Sequence, residues 1–226
     1  MIDHSEEFEE LLSIKGLPGY IKAASLPDIE LYMDQVTTFM DEHLNEAKRY
    51  QDDKILTKTM INNYTKNKLL PPSEKKKYSQ GHLILLIYIY YLKNVLSISD
   101  IQTLLEPMIK NHFSGEGGLT MKDIYRSIVR TETGLIRPFM DDIRKKIDIA
   151  EDVFPETEGD DREYMQVFTM ICMLIFDVYL KKQMVERMID HMREKKDTAT
   201  TKGKDRDKAK SANENEASPS SKKPGA

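Results

Sequence analysis

The chain has 226 residues, 39% of them apolar, and a formal charge of -4, enough for one packed domain and a second lobe. Its single cysteine, Cys172, rules out an intramolecular disulfide framework and a thiolate metal cluster. The acidic first residues lack a charged-then-apolar leader, and the longest unbroken apolar run, Leu83 to Leu92, is about half of the ~20 residues a spanning helix needs. A cytoplasmic protein with no membrane segment is expected.

In chain order, residues 1–25 hold a turn at Lys15-Gly16-Leu17-Pro18-Gly19, and Ser25 with Asp28 reads as a helix start with Pro27 in the first turn. The spacing of Tyr32, Val36, Phe39, Met40, His43, Leu44 and Ala47 then predicts one helix from about Asp28 to Arg49. A short helix follows, capped by Thr57 and reaching about Asn67. At 100° per residue, Thr57, Met60, Ile61 and Tyr64 share its inner side, and Lys58, Thr59, Asn62, Asn63 and Lys66 share its outer side. Leu69-Leu70-Pro71-Pro72 must leave the helix, and two very short strands around the turn that follows would form a wing carrying Lys75, Lys76 and Lys77.

Leu83 to Leu92 fits a buried strand or a buried helix by periodicity, and length favours the helix. Ser97 with Asp100 opens another helix through Leu105, which Pro107 stops or kinks. The glycine-rich segment Ser114 to Gly118 is read as the boundary between a first domain, 26–113, and a helical lobe, 119–194. In that lobe Thr120 and Asp123 cap a helix with Ile124, Ile128 and Val129 on one face. A second helix carries Phe139, Met140, Ile143 and Ile147, and a long last helix runs near Arg162 to Glu194. Residues 195–226 contain no apolar side chain larger than alanine, so a disordered tail is expected there.

Charge is kept apart along the chain. Lys54 to Lys77 carries seven lysines against one glutamate, although the whole chain is acidic. A solvated face is the plain reading of such a cluster, but helical phase places lysine and asparagine together with no acid among them. Leu56-Thr57, Met60-Ile61, Tyr64, Leu69-Leu70 and Pro72 fall in register with the helix-turn-helix and wing of the MerR regulators, which this stretch resembles. Lys68 stands where that pattern has glycine, and Asn62 where it has arginine. LPDIELYMDQV, ILTKTMINNYTKNKLL, KKKYSQGHL and LKNVLSISDI together, over roughly residues 26 to 110, are similar to a bacterial family with a domain of unknown function and a MerR-like DNA-binding fold.

The resemblance implies a mainly α protein: a MerR-like winged helix-turn-helix lobe with a small two-stranded wing, followed by a helical C-terminal lobe for dimerisation or sensing. It implies a transcriptional regulator of double-stranded DNA acting as a homodimer. Asn62 and Asn63 are the candidates for base edges, Lys58, Thr59 and Lys66 for bases or phosphates, and Lys75, Lys76 and Lys77 for backbone phosphate. The alternative is a helical interaction module that binds an acidic protein through the same lysines.

For the last helix, Met165, Phe168, Ile171, Cys172, Ile175, Val178 and Tyr179 form an apolar stripe, open to two readings: packing within its own lobe or contact between subunits. An unknown effector held among its methionines and aromatics is a third use. No cofactor or metal is expected, and no catalysis: the five histidines, His4, His43, His82, His112 and His191, are scattered. Asp141-Asp142, Glu151-Asp152 and Asp160-Asp161 are adjacent and do not converge. Ser73-Glu74-Lys75-Lys76 matches a Ser-x-x-Lys pattern only by letter.

Overall fold

The computed structural model describes residues 21–115 and 118–216; the turn expected at 15–19, His4 and the last ten residues of the tail lie outside the described residues. The described chain is mainly helical. A 3-10 turn at Ala23–Ser25 and strand β1 (Leu31–Tyr32) lead into α1 (Met33–Leu44), a second 3-10 turn (Asn45–Ala47), α2 (Lys58–Lys66) and strand β2 (Lys77–Tyr78). Then come α3 (Gln80–Leu92), α4 (Ile98–His112), α5 (Met121–Thr133), α6 (Ile136–Asp152) and α7 (Gly159–Glu216). The strands pair antiparallel, Leu31 with Tyr78 and Tyr32 with Lys77.

Helix α3 is the centre of the larger core. Every residue from His82 to Tyr90 is buried, a pattern an α-helix sustains because its backbone groups are satisfied internally while neighbours cover it all round. A ten-residue strand there would need long strands on both edges. Val36, Met40 and Leu44 of α1, Ile61 and Tyr64 of α2, and Ile101 and Leu105 of α4 pack around it. His82 sits at its start, accepting the Ser79 N–H at Nδ1 over 3.0 Å, with Tyr78 and Phe113 presenting ring edges at 5.4 and 4.8 Å. Burial pushes the imidazole pKa down, against the Pro72 and Pro71 carbonyls, which favour the proton; none aligns into a hydrogen bond with Nε2.

Several boundaries differ from the sequence expectation. Helix α1 begins at Met33 rather than near Asp28, because pairing with β2 holds Leu31 and Tyr32 extended, and Gln35 Oε1 accepts the Tyr32 N–H at 2.9 Å. Tyr32 is exposed as a result. Helix α4 starts at the Ser97–Asp100 capping box but continues through Pro107 to His112. Leu104, Leu105, Met108 and Ile109 hold both sides of the proline against the core, enough to offset the missing N–H.

The glycine-rich segment is not where packing changes lobe. Helix α5 begins at the Thr120–Asp123 box, and it buries Met121 and Tyr125, while Ile128, from the face expected to carry Ile124, Ile128 and Val129, is exposed. The Tyr125 hydroxyl donates to the Ile21 carbonyl over 2.5 Å, and its ring meets Tyr88 edge-on at 5.7 Å. So α5 belongs to the larger core. The second core is small: Ile143, Ile147, Ala150 and Met170, with Met173 and Leu174 against them. It joins α6 to the first part of α7 as an antiparallel hairpin, with Lys146 paired to Asp177 at 2.9 Å and Gln166 reaching the Glu151 carbonyl.

Farther along, α7 turns Ile189 into the larger core, and its Arg193 bonds Asp100 and Thr103 of α4, with Lys196 pairing to Glu106. The helix continues to Glu216, through most of the segment expected to be disordered. A helix already formed upstream needs only propagation, and the lysine, alanine and glutamate of this stretch propagate it well. Within Gly159–Thr198, α7 is also apolar and long enough to cross a bilayer by composition, a feature hidden from a search for unbroken apolar runs.

Candidate nucleic-acid interface

The local sequence builds α2 from both ends. Ile55 and Leu56 are buried before it, and the Thr57 side chain accepts the Met60 N–H at 3.2 Å, so the helix starts where the cap residue sits. Ile61 is wholly inaccessible and Tyr64 is buried, with Met60 partly so. The opposite side is then fixed by geometry: Lys58, Thr59, Asn62, Asn63 and Lys66 are all exposed. At the far end the Leu69 N–H bonds the Tyr64 carbonyl at 2.9 Å and the Lys68 N–H bonds Thr65 at 3.1 Å, a Schellman closure. Lys68 takes φ 58° there. Leu69 and Leu70, both buried, lock the exit.

Lysine at that position is unusual, since a left-handed residue with a Cβ costs about 1–2 kcal/mol relative to the right-handed form and glycine avoids the cost. The same holds at the wing. Lys75 and Lys76 have φ 48° and 65°, the two central residues of a tight turn that the Lys77 N–H closes on the Glu74 carbonyl at 2.8 Å; turns of this hand prefer Asn-Gly. Three lysines thus occupy backbone positions where a smaller residue is more stable, and their side chains are exposed. Lys68 was not among the residues singled out from the sequence. The signal was present, because it stands at the glycine position of the resembling pattern.

The wing differs from the expected hairpin. Only an isolated bridge, Glu74 with Lys77, spans the turn; the partner of β2 is β1, which comes from before α1. Because β1 runs straight into α1, the first turn of α1 lies between α2 and the wing. That placement sorts the candidates. Lys58 pairs with Asp34 of α1. Lys77 is half-buried, its Nζ 3.9 Å from Glu30 and 5.8 Å from the Tyr32 ring centroid. Among the described residues Lys66, Lys75 and Lys76 make no ion pair. Asn62 and Asn63 are both exposed; the main-chain carbonyl of Asn63 accepts the Asn67 side-chain N–H at 2.8 Å. Sequence reasoning missed Glu30 and Asp34, whose partners are distant along the chain.

At the start of α2, an open cleft of about 680 Å³ is lined by Asp41, Glu42, Asp52 and Asp53 together with Lys48, Lys54 and Lys58. Its charges are mixed. Among the described residues no three His, Cys, Asp or Glu side chains gather as metal ligands would.

The described chain is thus mainly helical, with one small antiparallel sheet and a basic edge on α2. Residues 21–128 match the model of the family described as a domain of unknown function, DUF1836. The match begins at the first described residue and runs through α5 as far as Ile128, the same stretch that supplies nearly all of the larger core. No curated protein and no solved structure matches the chain.

Proposed function

We propose that the chain is a DNA-binding transcriptional regulator of the MerR-like winged helix-turn-helix kind, reading duplex DNA with the outer side of α2 and gripping phosphate with the wing. The observation that carries this reading is the division of α2: Ile61 and Tyr64 are held in the core, so Thr59, Asn62, Asn63 and Lys66 face outward with no acid among them. An asparagine amide so placed pairs with adenine N6 and N7 in the major groove. Lys66, Lys68, Lys75 and Lys76 supply sequence-independent phosphate contacts, and their left-handed backbone positions at Lys68, Lys75 and Lys76 are the kind of strain that persists where a side chain has work to do. Lys58 and Lys77 contribute less, since Asp34 and Glu30 already hold them. The action is cytoplasmic, and a homodimer reading two half-sites raises the weak affinity of a single module.

The test is enrichment of fragments from genomic DNA, repeated over a salt series, with the wild type and with Asn62→Ala and Asn63→Ala. A regulator enriches discrete sites and loses that preference in the asparagine variants. A module for an acidic protein partner enriches none.

A further inference from the structure

The base of the wing closes on one histidine. Tyrosines apart, His82 is the one buried polar side chain among the described residues, 3% exposed. It is the third residue of α3, the place in a capping box where Glu or Gln normally accepts the N–H of the cap residue. Here an imidazole takes that part: Nδ1 accepts the Ser79 N–H at 3.0 Å and lies 2.9 Å from Ser79 Oγ. A glutamine would do so at any pH. An imidazole does so only while Nδ1 is unprotonated, so the neutral ring carries its proton on Nε2. That nitrogen is buried without a partner, although the Pro71 and Pro72 carbonyls lie near enough to favour a proton on the ring. The ring therefore meets both ends of the wing, Pro71-Pro72 where the chain has left α2 and Ser79 where it enters α3.

A second proton on this ring has to go to Nδ1. It takes away the acceptor of the Ser79 N–H and sets two N–H groups against each other at hydrogen-bond distance. Ser79 Oγ can accept the new proton, but the Ser79 N–H is then left without a partner. Helix α3 cannot shift to relieve this, since Leu83 to Ile87 are wholly inaccessible and a Cβ on Gly81 would meet the Phe113 ring at 3.1 Å. The wing is softer. Two residue pairs with β1 and one bridge across its own turn hold it, and Lys75 and Lys76 at its tip are exposed. The charges that act on the ring are Glu74 of the wing and Glu30 ahead of β1, and both favour the imidazolium. From β2 and the end of α4 it meets the rings of Tyr78 and Phe113. Burial outweighs the two acids and keeps the ring neutral near pH 7.

We propose that His82 is a pH-sensitive latch on the wing: the neutral ring fixes Ser79 and, through it, β2 and the Lys75-Lys76 tip, and the charged ring lets them go. The latch is whole above about pH 6.5, the ordinary imidazole value, and is lost as pH falls from there through the lower pKa of the buried ring. Its consequence for binding rests on the DNA reading of the wing. Acid should weaken the grip on phosphate, whereas added positive charge alone would strengthen it.

Two experiments on the full chain keep the latch and the DNA reading apart. In the first, without DNA, nitrogen-15 NMR follows the imidazoles over the pH range in which circular dichroism is constant, with the His82 signals identified by their loss in His82→Gln. The ring is expected in the Nε2–H form, titrating below pH 6.5. With the same midpoint, protection of the Lys77 and Ser79 amides, taken relative to unstructured exchange at each pH, should fall about ten-fold. An Nδ1–H tautomer, a ring that stays neutral until the chain unfolds, or a titration that leaves both amides protected overturns the latch. In the second, affinity for a random-sequence duplex is measured over a salt series at each pH. Wild type should bind about ten-fold more weakly in acid, with a salt slope lower by about two units for the two tip lysines. His82→Gln, whose amide oxygen accepts the Ser79 N–H but takes no proton, should show neither change with pH. A wild type that binds as well or better in acid, or a glutamine variant with the same loss, overturns the coupling to binding. If the duplex is not bound at any pH while the amides respond as expected, the latch stands and the DNA reading falls.

Discussion

Helix α2 and the Tyr164–Val178 part of α7 both carry large apolar side chains at helical spacing, and they dispose of them in opposite ways. In α2 the apolar residues are buried within the chain and the polar ones are left outside. In α7 the chain buries Met170 deeply and leaves Phe168, Ile171, Ile175 and Val178 in the open. The first arrangement is finished by folding, and what remains outside is chemistry for a polar ligand. The second leaves apolar side chains in the open beside a small core of Ile143, Ile147, Ala150 and Met170, so folding of the described residues does not finish it.

The strongest way to break the comparison is to truncate each helix on the side that matters. Ile61→Ala should cost about 2–5 kcal/mol, as deletion of a wholly buried isoleucine does, and denaturant unfolding of the larger lobe should show that loss unchanged over a range of protein concentration. Ile175→Ala, at a side chain 63% exposed, should cost little within one chain, and a loss that grows on dilution would report contact with another copy. Equal, concentration-independent losses at both positions would remove the distinction.

Next in size is the outer side of α2. Asn62→Ala and Asn63→Ala should each lower affinity for a selected DNA site by roughly 1–3 kcal/mol while leaving random DNA nearly unaffected. Competition binding at fixed salt reads the difference. Both amides are exposed, and the contact of Asn67 with Asn63 uses only the Asn63 main-chain carbonyl, so effects of similar size are expected. Losses of the same size on random DNA would mean that the amides do not touch bases.

A smaller effect, and of opposite sign, is expected at Lys68. Its φ of 58° makes Lys68→Gly stabilising by about 1 kcal/mol in denaturant unfolding, while DNA affinity falls for every sequence. A glycine variant that is more stable and binds as well as the wild type would mean that the strained lysine has no part in binding.

The short-range features were legible in the sequence. Thr57, Ser97 and Thr120 each cap the helix that follows, and the inward side of α2 follows from a 100° step. What stayed hidden needed contacts far along the chain. Strand β1 is two residues inside a helical pattern and exists only because Lys77 and Tyr78 pair with it. Tyr125 was not picked as a core residue because its hydroxyl partner is Ile21, more than a hundred residues away. The ion pairs of Lys58 with Asp34 and Lys77 with Glu30 divide the candidate lysines in a way that spacing alone does not reveal. The stripe on α7 was visible as a stripe; its exposure was not, since the same spacing describes a helix packed inside its own lobe.

The smallest effect tests the wing. Lys76 is exposed at the tip of the tight turn and makes no ion pair among the described residues, so its contact with phosphate would displace counterions and nothing else. Lys76→Ala should then weaken binding to selected and random DNA alike and flatten the dependence of log affinity on log salt by about one unit. Lys77→Ala should flatten it less, because Glu30 and the Tyr32 ring already hold that ammonium group and its release costs part of what the phosphate returns. If the two variants lower the slope equally, the acidic residues beside the wing do not govern which lysines face the DNA. If neither changes it, the wing is not in contact, and α2 alone would have to account for binding.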